Sequence, residues 1–397
     1  MIPSRFYYPS PGFSIYWKSG NGKKLATKLT GNFPRKEEIE QFVPRLFQTD
    51  VLADQVIREV YQKFGFKQAD QWINQLLQGE EVAGVPDSLR QIISEISIKP
   101  AWLNEELLEQ GATLCRRSGP LGLMVLRNYC LMGGYESSAI NKPLIFTGAL
   151  KKGAAKRLTE TTEFWIKIIG KNATTQADNG LKECLKVRLM HAYARVSILD
   201  AGEWKSEEWG EPLNQWDMVA TNLGFSIIYL DGLRKLGLKI RDEEIQGLFH
   251  FWKYVGDLLG IPADYLPDNE SDAIRAIYAW TITQSPADSD TISLAKALME
   301  EPLYADFPKK RWQKKLVLKL HLSYNHYFLG KASCKTMQLP NTVFKAYPFF
   351  VTFFSRIGQL WVHRSEAAYQ RSVHKNRKIQ EKIVNMFLSG YGRDAIK

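Results

Sequence analysis

The stretch LKECLKVRLMHAYARVSI, residues 181–198, contains neither glycine nor proline and repeats its apolar residues at helical spacing. Leu181, Leu185, Leu189 and Ala192 fall on one face, the pattern of a buried helix side. Cys184, Val187, Arg188, His191, Ala194, Arg195 and Ile198 share a second stripe, because residues three and four apart stack on a helix. That stripe is small and apolar except for one imidazole, with a guanidinium a turn before it and another a turn after. Two buried cations call for an anionic partner. Internal carboxylates are one answer, with His191 as a hydrogen-bonded core histidine. A bound anionic cofactor is the other: His191 ligating its metal, as in haem, and Arg188 or Arg195 meeting a propionate.

Outward from this helix, the same periodicity recurs along almost the whole chain of 397 residues, and no β-alternating run or fixed-period repeat interrupts it. The sequence predicts an all-α fold of a dozen or more helices in one compact unit. We expect an N-terminal arm over 1–35, N-terminal helices over 36–118, a central core over 119–267 and C-terminal helices over 268–397. The arm carries Pro3, Pro9, Pro11 and Pro34 and should wrap the surface. Asp50 is placed to cap a helix from 51, Ser285 with Pro286 to start one near 286, and Gly237 to close the apolar run 214–236. Residues 119–131, GPLGLMVLRNYCL, are apolar almost all round, which marks a central helix. Its early glycines let either a flat group or another helix approach closely. Residues 346–362 are apolar too, but Ser355 and Arg356 interrupt them, so they read as a buried or interfacial helix, short of the roughly 18 apolar residues that span a bilayer.

The net charge is +11, gathered in residues 151–157, 309–319 and 374–382. Solvated helix faces, a membrane surface with anionic lipids and nucleic acid all fit such clusters. No zinc-finger or RNP signature accompanies them, so no nucleic-acid partner is expected. The four cysteines are scattered without a CxxC, which suits a reducing compartment; with no basic-then-apolar leader at the N-terminus, we expect a soluble, cytoplasmic protein, if anything membrane-peripheral. Phosphate-loop, dinucleotide, HExxH, GxSxG and Glu-x-x-His patterns are absent, which removes nucleotide cradles, zincin and serine-hydrolase chemistry and di-iron carboxylate sites. A single-histidine site is what remains. Upstream, Arg157 and Thr161 lie four apart with Phe164 and Trp165 continuing that side. A fixed cation and a hydroxyl over an apolar cavity suit polarising dioxygen or a peroxide; pairing of Arg157 with Glu160 or Glu163 is the bland alternative. His250, among Phe251, Trp252 and Tyr254, reads as a packing residue more readily than a pocket residue.

RLTETTEF (157–164), RLMHAYARVSIL (188–199), WGEPLNQWDMVATNLGFS (209–226) and HFWKYVGDLLGIP (250–262) together resemble the latex-clearing protein, or rubber oxygenase, family, which includes the MpaB-type oxygenases. The resemblance covers about residues 119–267. It implies a b-type haem in a globin-related helical core, His191 as the axial ligand to iron, and Arg157 and Thr161 on the distal side. It implies oxidative cleavage of carbon–carbon double bonds by dioxygen, in a hydrophobic isoprenoid or lipid-like substrate. Two positions depart from the family. The distal lysine is replaced by Glu160, and the family's proposed catalytic glutamate falls near Asn141, with Glu136 or Glu160 as stand-ins. A non-catalytic haem- or lipid-binding protein and a basic interaction module are the competing readings.

Overall fold

The computed structural model describes residues 2–148, 154–171 and 179–390. Within them the chain is all-α, with no strand among the described residues. Short helices come first: α1 (Pro11–Lys18), α2 (Lys23–Thr27), α3 (Lys36–Glu40) and α4 (Val51–Val56), followed by α5 (Gln62–Leu77) and α6 (Asp87–Ser97). The centre holds α7 (Glu105–Val125), α8 (Met132–Gly134), α9 (Ser138–Phe146), α10 (Ala154–Ile168), α11 (Asn179–Asp200), α12 (Ser206–Trp209), α13 (Gln215–Leu223), α14 (Tyr229–Lys235) and α15 (Asp242–Leu258). The set closes with α16 (Glu270–Thr281), α17 (Ser289–Tyr304), α18 (Arg311–Thr336), α19 (Tyr347–Val362) and α20 (Glu366–Gly390). Three π-helical turns, Ile57–Tyr61, Leu126–Leu131 and Gly224–Ile228, interrupt the longer runs, and the last two pack on each other.

Helix α7 is the axle, packed along α15 on one side and α20 on another. It crosses α15 where Gly111 meets Gly247: a Cβ on Gly111 would collide with the Gly247 carbonyl, and one on Gly247 would lie 2.6 Å from the Gly111 nitrogen. Only two glycines let helices approach that closely. Toward α20, Arg117 is 1% exposed and pairs at 2.9 Å with Glu244, which also accepts from Tyr369 Oη at 2.7 Å. Gly119, at φ +57°, kinks α7 where the sequence separates a helix ending at 118 from the apolar run after it. A β-carbon there would also press on Asn376, whose Nδ2 donates to the Arg117 carbonyl at 2.8 Å.

Several helix ends lie where the side-chain chemistry puts them. Asp50 accepts from Ala53 N at 3.3 Å, Asn214 accepts from Asp217 N at 2.9 Å, and Gly237 ends α14 at φ +81°. One start differs. Helix α17 begins at Ser289, with Asp288 rather than Ser285 as cap: Asp288 Oδ1 accepts from Thr291 N at 3.0 Å, while Ser285 Oγ donates to the Arg5 carbonyl. The N-terminal segment is also more deeply built in than its prolines suggest. Trp17 is buried and donates to Thr281 Oγ1 at 2.8 Å, and Arg5 forks onto Asp217 at 2.6 and 2.7 Å.

Candidate cofactor site

Helix α11 carries His191 half-buried, with its buried faces against α4, α10 and α15. The guanidinium groups on either side are engaged with carboxylates. Arg188 Nε donates to Asp50 Oδ2 at 2.6 Å and Nη2 to Oδ1 at 3.0 Å. Arg195 Nε donates to both Asp54 oxygens, at 2.8 and 3.0 Å, and Nη1 to the Leu213 carbonyl at 3.2 Å. Both arginines are buried. The expectation that one of them meets a propionate therefore gives way to the internal-carboxylate alternative: α4 supplies two acids at the spacing that matches the two cations. Asp50 thus caps α4 and holds α11 at once. Its second role had no signal in the sequence, because 138 positions separate the partners.

Helix α10 runs antiparallel beside α11, since Lys167 near its end pairs with Glu183 near the start of α11 at 2.8 Å. Thr161 lies six residues before Lys167 and His191 eight after Glu183, about 9 and 12 Å along their helices at 1.5 Å per residue. The two side chains therefore sit at comparable depth on neighbouring helices, and both are half-buried. Phe164 and Trp165 are buried on α10. Residues 151–153 lie outside the described residues and the side chains of 154–157, Arg157 among them, are not described, while Glu160 is half-buried on α10.

Asn141 is 1% exposed and its Nδ2 donates to the Tyr135 carbonyl at 2.8 Å, so it braces the turn before α9. Burial pushes the Glu136 carboxyl up to about 7 against a hydrogen bond from Ser333 that pulls it down. Beside it lies a buried polar chain that the sequence did not advertise. Tyr129 Oη donates to Asp231 at 2.9 Å and accepts from Lys235 Nζ at 2.9 Å, with Tyr16 Oη also 2.9 Å away. His250 and His321 are bonded to protein atoms. His250 Nε2 accepts from Asn104 N at 2.8 Å at the start of α7, as a packing residue would. His321 Nδ1 lies 3.1 Å from Asn128 Oδ1, and burial holds its pKa well below the ordinary value.

Haem needs an imidazole on a firm helix, an apolar slot and room for a flat ring. His191 and the half-buried apolar residues Leu158 on α10 and Val187 on α11 supply the first two. Among the described residues, nothing lies within 4 Å of where a Cβ on Gly224 would be, at the start of a π-helical turn. Among the described residues, the buried Trp165 and Trp252 indole nitrogens have no acceptor, as donors do when a polar group is missing from the core. These residues fit the group. Among the described residues, no three His, Cys, Asp or Glu side chains converge as a set for a bare metal ion.

Residues 119–358 match the family described as ER-bound oxygenase mpaB/B'/rubber oxygenase, catalytic domain. The rubber oxygenase of Streptomyces sp. (strain K30) is 22% identical over 188 residues, covering 46% of this chain and 46% of that protein. The chain thus aligns with about half the length of that curated relative. The solved structure of latex clearing protein in its closed state superposes over 85% of this chain and 91% of its own, with a TM-score of 0.64 at 17% identity, a likeness of fold.

Proposed function

The chain belongs to the family of ER-bound mpaB/B' and rubber oxygenases, and from that premise we propose a b-type haem-dependent oxygenase that cleaves a carbon–carbon double bond in a hydrophobic isoprenoid or lipid-like substrate. The observation that carries this reading is His191, half-buried on α11 between two arginines that are each tied to a carboxylate of α4. Haem, when bound there, supplies an iron centre that activates dioxygen for attack on an alkene. His191 would hold the iron by one ring nitrogen. Arg157 and Thr161 would supply a cation and a hydroxyl that donate to oxygen as negative charge develops. The apolar residues of α10, α11 and the π-helical turn at Gly224 would exclude water and admit the substrate.

A pyridine haemochrome spectrum of protein reconstituted with haemin tests the cofactor. A Soret band that disappears in His191→Ala supports the ligand, and full haem retention with an unchanged spectrum in that variant rejects it. The second reading, a non-catalytic haem or lipid carrier, draws on Asn141, which stands buried and backbone-bonded near the position of the family's carboxylate. Oxygen uptake with unsaturated isoprenoids separates the two readings.

A further inference from the structure

Helix α19 is turned inside out. Its inward positions are small or polar: Thr352 Oγ1 donates to the Pro348 carbonyl at 2.8 Å, and Gln359 Oε1 accepts from Arg117 at 3.0 Å. Its outward positions are Phe349, Phe350, Phe353, Phe354, Leu360 and Trp361, each at least 60% exposed. A surface helix ordinarily does the reverse, and contiguous exposed apolar area of this kind marks a contact surface. In the loop before α19, Val343 is 85% exposed, and Thr342 Oγ1 donates to the Lys319 carbonyl at 3.2 Å and ties that loop to α18. Trp312, near the start of α18, is 62% exposed.

Charge identifies the occupant. Residues 307–364 contain no Asp or Glu and eleven Lys or Arg, matching the +11 of the whole chain. Lys309, Lys310, Lys315, Lys319, Lys345 and Arg356 are exposed and form no ion pair among the described residues. Lys239 and Arg356 also border a cleft of about 420 Å³ that opens beside Leu360. A second copy of the chain is disfavoured, because a two-fold interface sets a patch against itself and would bring the same uncompensated cations together. Spanning is also disfavoured: α19 has 16 residues, about 24 Å at 1.5 Å per residue against a hydrocarbon core of about 30 Å. No helix of the described residues is long and apolar enough to cross a membrane.

We propose that α19 lies in the plane of an anionic membrane, its Phe and Trp rings in the headgroup–acyl boundary and the basic residues at the start of α18 and along it on the lipid charge. The inference rests on this surface and is independent of the cofactor reading. The test is co-sedimentation of the full chain with phosphatidylcholine vesicles, with and without phosphatidylserine. We expect binding to the phosphatidylserine vesicles that weakens with salt. It should fall at least ~10-fold in Phe353→Ser/Phe354→Ser. In Lys309→Glu/Lys310→Glu/Arg311→Glu it should fall at least ~100-fold, about fivefold for each cation removed with the added repulsion of three carboxylates. These side chains are outside the core, so circular dichroism and haem content should not change. No binding to either vesicle, equal binding to both, or a dimer in light scattering that the Phe353→Ser/Phe354→Ser variant returns to monomer would each overturn the proposal. Failure of haem binding with vesicle binding intact would reject the oxygenase reading alone.

Discussion

Asp50 and Arg188 form a two-pronged ion pair, 2.6 Å at its shorter contact, one helical turn before His191. Gly260 closes over it: a Cβ there would overlap the Asp50 carboxylate and lie 2.7 Å from Arg188 Nε, and φ is +82°. Removing the acid strips the buried Arg188 of its two-pronged partner and leaves it the more exposed Glu95, 3.6 Å away, which costs about 3 kcal/mol. Asp50→Ala should therefore lose about that much in urea unfolding, and Gly260→Ala should also destabilise through steric overlap.

Thr161 and His191 sit on neighbouring helices, and on the proposed reading their replacement should separate holding the cofactor from handling oxygen. His191→Ala should lose the Soret band. Thr161→Val should keep it and slow turnover at least ~10-fold, while Thr161→Ser should restore most of the rate. These outcomes are read by haem stoichiometry and oxygen uptake on the same preparations.

The N-terminal segment is a structural part of the core. Arg5 bonds Asp217, which also accepts from Trp280 Nε1 at 3.0 Å and from Asn214 Nδ2 at 2.9 Å. Arg5→Ala leaves that acid short of its cation and should cost about 3 kcal/mol or more, seen as a lower midpoint in thermal melting.

Glu136 makes stability depend on pH. Its folded-state pKa of about 7 lies above the ordinary 4.5 because burial disfavours the charged form. The native state therefore holds this proton more tightly than the unfolded chain does. The stabilising contribution is complete below about pH 4.5 and is lost as pH rises through about 7, a change of order 3 kcal/mol. Glu136→Gln should flatten this part of the stability–pH curve and be the more stable form at pH above about 7.

Gly111→Ala drives a methyl group into the Gly247 carbonyl at the α7–α15 crossing. Overpacking of this kind costs about 1–3 kcal/mol, and more where backbone must move. Chemical denaturation should show the loss, while Gly134→Ala, whose Cβ meets nothing within 4 Å, serves as the matched control.

The helices and several of their ends were legible in the chain because periodicity and capping act locally: Asp50, Asn214 and Gly237 each announce a boundary to their own neighbours. The partners of Arg188 and Arg195 were not legible, since a guanidinium does not reveal which distant acid the fold will bring to it. Helix α19 was half legible. Its composition said apolar, but facing is decided by the polar seats offered to Thr352 and Gln359 by α14 and α7, elements more than a hundred residues away. The cap at Asp288 was missed because Ser-Pro looks like a helix start wherever it stands, and Ser285 had a better use in bonding Arg5.

The two arginines of α11 straddle His191 and end on the same short helix, at Asp50 and Asp54. A rod bolted to one bracket at two points can neither roll nor slide against it. The imidazole between the bolts thus has its azimuth and height set before anything arrives. On the proposed reading, a cofactor held there would have to adjust to the histidine, and a change of reach at either acid would re-aim the helix that carries it.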